Sequence, residues 1–160
     1  MRLTQHTDYA LRVLISLAVA PEGRHTVETV ARRHDLSRNH LMKVAQTLTQ
    51  AGFVEGTRGR NGGIALARRP EAIRLGAVVR ACEDNFTLVD CFDAERNRCL
   101  LTPACGLRGP LEEALAAFLH VLDGYTLADL IARPGQDAAL RRLVFPSPDA
   151  GAQPGAADGD

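Results

Sequence analysis

The chain has 160 residues, 46% hydrophobic and 24% charged, which is the balance of an ordinary globular protein of one domain or two small ones. Arg, Thr or Gly interrupts every apolar stretch well short of ~18 residues, so no membrane-spanning helix is expected, and Met1-Arg2 leading into Thr4-Gln5-His6-Thr7-Asp8 does not read as a signal peptide. Nineteen basic side chains cancel nineteen acidic ones, but residues 1–70 hold eleven basic and five acidic groups whereas residues 71–160 hold eight and fourteen. Such a split points to a polyanion partner for the N-terminal part, with a solvated basic surface as the plain alternative. The expected compartment is the reducing cytoplasm, where Cys82, Cys91, Cys99 and Cys105 do not form structural disulfides.

In chain order, Ala10, Val13, Leu14 and Leu17 have helical spacing and predict a helix from about Thr7 to Ala20, ended by Pro21-Glu22-Gly23. Thr26 is a candidate N-cap for a short helix from Val27 to His34 with Val27, Val30 and Ala31 on its inner face. Asp35-Leu36 makes a tight turn, and Ser37 is the next candidate cap. The third helix runs from Arg38 to about Ala51, with Leu41, Val44, Ala45 and Leu48 inward and Gly52 as its stop. Two short helices joined by a turn, the second polar on its outer face, read as a helix-turn-helix.

Two strand-like runs follow, residues 53–57 and 63–67, flanking Arg58-Gly59-Arg60-Asn61-Gly62. Asn-Gly in that setting signals a hairpin turn with positive φ at both central residues. A hairpin directly after a helix-turn-helix is a wing, so residues 1–70 are expected to form a winged helix-turn-helix DNA-binding domain. Ile73 to about Glu83 is helical, residues 84–106 are loop-like, and Leu107, Leu111, Leu115, Phe118, Leu119 and Leu122 form a long apolar stripe that suits packing against a second copy. Thr126 and Asp129 resemble a capping box for a last short helix. Residues 71–145 thus comprise a cysteine loop and dimerisation helices, and residues 146–160, rich in Pro, Gly, Ala and Asp, read as a disordered tail. The fold class is mainly α.

On the third helix Asn39, Lys43, Gln46 and Gln50 share the face opposite the apolar one. Asn and Gln can pair at two points with adenine, and Lys reaches guanine or phosphate. Arg38 and His40 lie in the first turn, the part of a recognition helix that enters the groove. Arg58 and Arg60 on the Gly-rich hairpin suit a narrow minor groove. Cys91, Cys99 and Cys105 place three soft thiol donors in one loop, suited to zinc, copper(I) or an iron–sulfur cluster. No Cys-x2-Cys pair occurs, and the wide spacings favour a cluster over a zinc knuckle, although three thiols leave one ligand short. Cys82 falls on the inner side of its helix with Val78 and Val79 and reads as core.

The stretches Met1-Arg2-Leu3-Thr4, Thr7-Asp8-Tyr9-Ala10-Leu11-Arg12, Leu36-Ser37-Arg38-Asn39-His40-Leu41-Met42-Lys43-Val44, Arg58-Gly59-Arg60-Asn61-Gly62-Gly63, Leu88-Val89-Asp90-Cys91, Leu101-Thr102-Pro103-Ala104-Cys105 and Tyr125-Thr126-Leu127-Ala128-Asp129-Leu130 carry a resemblance. Over residues 1–145 the chain resembles the Rrf-type winged-helix regulators, and within them the NsrR-like nitric-oxide-sensing repressors. The resemblance implies a homodimeric, cytoplasmic repressor of operator DNA whose iron–sulfur cluster, 4Fe–4S in preference to 2Fe–2S, is held by Cys91, Cys99 and Cys105, with Asp8 of the partner subunit as fourth ligand. Nitrosylation of the cluster would release the operator. The residue alone suggests instead that Asp8 complements the positive end of the first helix. Relatives of the IscR kind carry a His three residues after the last Cys, where Arg108 stands here, and the seven residues between Cys91 and Cys99 exceed the spacing of several relatives.

Within the same class, the chain could report iron or iron–sulfur supply, or act as a thiol- or zinc-dependent repressor. From another class, a winged-helix protein-interaction module would use the basic face on an acidic partner. An enzyme is disfavoured, because no supported nucleophile–base arrangement is visible and the wing glycines lack the Lys-Ser/Thr of a phosphate-binding loop.

Overall fold

Helix α1 spans Gln5–Val19 and begins two residues before the expected Thr7, because the Thr4 hydroxyl caps it by accepting from the Thr7 N–H at 3.2 Å. The computed structural model describes residues 2–20, 24–57, 59 and 62–146. Ala10, Val13, Leu14 and Leu17 are buried, as their spacing predicts. Helix α2, Val27–Arg33, is capped by Thr26, whose hydroxyl accepts from the Thr29 N–H at 3.0 Å. The chain then reverses through Asp35, which takes a left-handed φ of 52°. Asp tolerates that region better than a branched residue does. Helix α3, Arg38–Gln50, follows with Ser37 at the cap position, but the Ser37 side chain makes no capping bond, contrary to expectation. Gly52, at φ 70°, ends α3.

Strands β1, Val54–Thr57, and β2, Gly63–Leu66, pair antiparallel from Val54↔Leu66 to Thr57↔Gly63. The hairpin is therefore present. The Gly62 N–H donates to the Gly59 carbonyl at 2.9 Å, and Gly59 takes a left-handed φ of 113°. Asn61 lies outside the described residues. His25 adds a rung at the base of the wing: its N–H donates to the Ile64 carbonyl at 3.0 Å and its carbonyl accepts from the Ile64 N–H at 2.8 Å.

Helix α4 is Leu75–Cys82 and α5 is Arg108–Asp123, with a loop carrying two short 3-10 turns between them. Gly76 lets α5 approach α4, since a Cβ there would collide with the Asp123 carboxylate, whose Cγ would stand 2.8 Å away. Asp123 is held across the two helices by Arg80 at 2.6 and 2.7 Å. Thr126 and Asp129 do form a reciprocal capping box, with the Thr126 N–H donating at 2.7 Å and the Asp129 N–H at 3.3 Å. It closes only a 3-10 turn, Ala128–Leu130. The last helix is α6, Gln136–Val144, which the sequence pattern did not announce.

One buried cluster joins these pieces: Val13 and Leu14 of α1, Leu41 and Leu48 of α3, Val54 and Ile64 of the hairpin, Val78 and Cys82 of α4, and Leu127. Each fully buried aliphatic side chain contributes about 1.5–3 kcal/mol relative to exposure. Helix α6 returns to α1, where Arg141 Nε donates to the Val19 carbonyl at 2.8 Å and so satisfies one of the open carbonyls at that helix end. Phe145 then packs on the His25 ring at 4.6 Å. Of the expected tail, only Pro146 falls within the described residues.

Candidate nucleic-acid interface and metal centre

The period of α3 decides what it shows to solvent. With Leu41, Val44, Ala45 and Leu48 buried, Arg38, Asn39, His40, Lys43, Gln46 and Gln50 are all exposed. Met42 is exposed among them. Helix α1 flanks this face at two points. The Thr47 hydroxyl donates to the Lys43 carbonyl at 3.2 Å and so accepts from His6 Nε2 at 3.1 Å. The Tyr9 ring meets His40 edge-on, with centroids 6.0 Å apart, so His40 is placed by α1 while staying exposed. At the wing, Arg24 pairs with Glu55 at 2.6 Å. Arg58 and Arg60 lie outside the described residues.

Asp8 sits in the first turn of α1, near its positive end, and is gripped by Arg12 through Nη2–Oδ2 at 2.7 Å and Nε–Oδ1 at 3.2 Å. The Arg12 guanidinium also stands 5.9 Å from the Tyr9 ring centre. One turn further, the buried Ser16 hydroxyl donates to the Arg12 carbonyl at 2.7 Å and accepts from His34 Nε2 at 2.7 Å. Burial, reinforced by Arg12 and opposed by Asp8, pushes the His34 pKa below its ordinary value. Sequence reasoning missed Tyr9, Arg12 and His6 as parts of this arrangement. The i,i+4 spacing of Asp8 and Arg12 was its one legible signal.

The loop between α4 and α5 is shaped by its own side chains. Asp93 accepts from the Glu95 and Arg96 N–H groups at 3.0 and 3.2 Å. Asn97 accepts from the Cys99 N–H at 3.0 Å, and its amide donates to Thr102 at 3.0 Å. These bonds fold the segment so that Cys91 lies on one 3-10 turn, Asp90–Phe92, and Cys105 at the end of another, Thr102–Ala104. Cys91, Cys99 and Cys105 are free thiols, each at least partly accessible. Cys82 is buried in the core, where desolvation first and Glu83 second push its thiol up to about 11. Arg108 is bound to Glu112 at 2.7 Å.

Among the described residues no three His, Cys, Asp or Glu side chains gather tightly enough to hold a single metal ion. A preformed mononuclear site is thus not presented. Three accessible soft donors spread along one loop suit a larger, thiolate-bound group, and the donor set fits an iron–sulfur cluster. No residue of α5 is fully buried: at the head of the stripe Leu107 is 58% exposed, and Leu111, Leu115, Phe118, Leu119 and Leu122 are half-buried. No helix among the described residues is long and apolar enough to cross a membrane.

Residues 3–133 match the family model Rrf2, described as iron-dependent transcriptional regulator. The chain is 52% identical over 132 residues to the HTH-type transcriptional regulator NsrR of Bacillus subtilis, covering 82% of this chain and 90% of that one. It is 49% identical over 144 residues to NsrR of Halalkalibacterium halodurans, covering 89% and 99%. Among solved structures, T. potens IscR superposes with a TM-score of 0.66 at 25% identity, covering 84% of this chain and 88% of that one. CymR, the global cysteine regulator of B. subtilis, gives 0.62 at 27%, covering 82% and 97%. The NsrR and CymR relatives are named as regulators. The chain belongs to the Rrf2 family of iron-dependent transcriptional regulators, and within it is of the NsrR type.

Proposed function

We propose that this chain is a cytoplasmic, homodimeric repressor that binds operator DNA and releases it when nitric oxide attacks an iron–sulfur cluster held by Cys91, Cys99 and Cys105, with Asp8 of the partner subunit as fourth ligand. The observation that carries this reading is the loop with three free, accessible thiols in a regulator of the iron-dependent family. Residues 1–70 serve as the DNA-binding unit, residues 71–145 as cluster loop and dimerisation helices, and residues 146–160 as an appended tail. Arg38, Asn39, His40, Lys43 and Gln46 face the major groove, and Arg58 and Arg60 reach the backbone or minor groove. When bound, the cluster, 4Fe–4S in preference to 2Fe–2S, would supply the iron at which nitric oxide reacts.

The chain's own residues link that loop to DNA. Asp8 belongs to α1, which braces α3 through His6–Thr47 and Tyr9–His40. A carboxylate engaged by the partner's loop would fix α1, and with it the spacing of the two recognition helices. Releasing it changes affinity only as far as the two states differ in their fit to DNA. The test is an anaerobic preparation analysed for iron and sulfide by assay and visible spectrum, then titrated with nitric oxide on operator DNA. Loss of chromophore and of operator binding together is expected. A colourless protein that binds the operator equally with and without nitric oxide overturns the reading, and release by iron chelation alone would favour a sensor of iron supply.

A further inference from the structure

We infer that Met42 is a specificity-determining residue of the operator contact, seated against the C5 methyl of a thymine in the major groove. The inference rests on the DNA-binding reading above and adds a residue and a base feature to it. Met42 is 48% exposed and is not among the hydrophobic side chains packed on the core. It lies four residues after Arg38, three after Asn39 and four before Gln46, so helical periodicity puts it on the face that those polar groups share. It is also within the first two turns of α3, the part of a recognition helix that meets base edges.

Every other large apolar residue of α3 is buried. The other large hydrophobic residues left exposed in the described chain belong to the cysteine loop, the two ends and surface of α5, and α6. The helix itself does not require Met here, since Lys, Gln or Glu would serve its propensity equally. The major-groove edges offer hydrogen-bond donors and acceptors, which Asn39, Lys43 and Gln46 match, and one apolar feature, the thymine methyl. An unbranched thioether with three rotatable bonds can follow that small protrusion and cover it. Desolvating both groups together gives Met42 a role that none of its polar neighbours can fill.

The test begins with duplexes enriched by the parent protein from a randomised library. Each thymine of the enriched duplex is then replaced singly by deoxyuridine, which removes the methyl and leaves every hydrogen-bonding group in place. At one thymine per half-site, the parent should lose about fourfold in affinity, the scale of one buried methyl group. Met42→Ala should bind the thymine and uracil duplexes alike at that position, and Met42→Leu should keep most of the difference. If no thymine responds in the parent, or if the same loss persists in Met42→Ala, the inference is overturned while DNA binding stands. A library from which the parent enriches no sequence overturns the sequence-specific DNA reading itself.

Discussion

Asp8 and Arg12 form a two-point ion pair one turn apart on α1, both side chains 47% exposed. An i,i+4 pair at such exposure is worth only about 0.3–0.5 kcal/mol. It orients the carboxylate without locking it, and a stronger ligand can take Asp8 from Arg12. Asp8→Ala should therefore still assemble a cluster on the three loop thiols but bind the operator more weakly. Were Asp8 only a complement to the helix dipole, the substitution would cost about 0.3–1 kcal/mol of stability and leave spectrum and affinity unchanged. Anaerobic spectra and operator titrations of the cluster-loaded variant separate the two outcomes.

The four thiols should divide three to one. Cys91→Ala, Cys99→Ala and Cys105→Ala should each abolish the cluster chromophore, whereas Cys82→Ala should keep it and lose roughly 1 kcal/mol of stability from a small core cavity. In the cluster-free protein at pH 8, iodoacetamide should modify the three accessible loop thiols well before Cys82, whose thiol is buried and raised to about 11. Mass spectrometry of the alkylated protein reads this directly.

Asn39→Ala should reduce discrimination between operator and random duplex by about 1–3 kcal/mol, because a two-point base contact is lost. Arg60→Ala should instead weaken binding to both and lower the slope of log affinity against log salt by about one phosphate equivalent. Titrations at several salt concentrations distinguish the two, and parent-like behaviour of both variants would place the DNA face elsewhere.

His34 ties α2 to Ser16 of α1 from a half-buried position, and its folded pKa is depressed below 6.5. The unfolded chain therefore binds a proton more readily than the folded one. This contribution to stability is complete above pH 6.5 and is lost as the pH falls through the lower folded value. Urea midpoints of the parent should drop on acidification below pH 6.5, and His34→Gln should show a flatter profile over the same interval.

At Gly76 the prediction is steric. Gly76→Ala should destabilise the protein by about 1–3 kcal/mol, since the new methyl meets the Asp123 carboxylate against α4. In the Asp123→Ala background the same substitution should cost less, because the obstructing group is gone. Equal costs in both backgrounds, measured by denaturation, would show that the close approach of α5 does not depend on that contact.

The winged helix was legible because local signals agreed: Thr26 caps α2, Gly52 ends α3, and the apolar period of α3 separates Leu41, Val44 and Leu48 from Asn39, Lys43 and Gln46. Cys82 was legible as core from helix phase alone. Contacts between distant segments were not. Nothing in the spacing announces that Tyr9 meets His40, or that His6 reaches Thr47 across 41 positions. Helix α6 was missed because Gln136–Val144 buries only Val144 and has no side-chain cap. It is a short helix that docks against α1, where Arg141 bonds the Val19 carbonyl.

The bond from Arg141 to the Val19 carbonyl spans 122 positions of the chain. During synthesis from the N-terminus, residues 1–70 leave the ribosome long before the helix that covers the end of α1 has been made. Leu127, which completes the same buried cluster as α1 and α3, also arrives late. A nascent chain halted near residue 70 therefore carries the recognition helix but lacks part of its own core. Translation must run almost to residue 145 before the recognition helix rests on a finished support, so a truncated product is a target for proteolysis rather than a competitor for DNA.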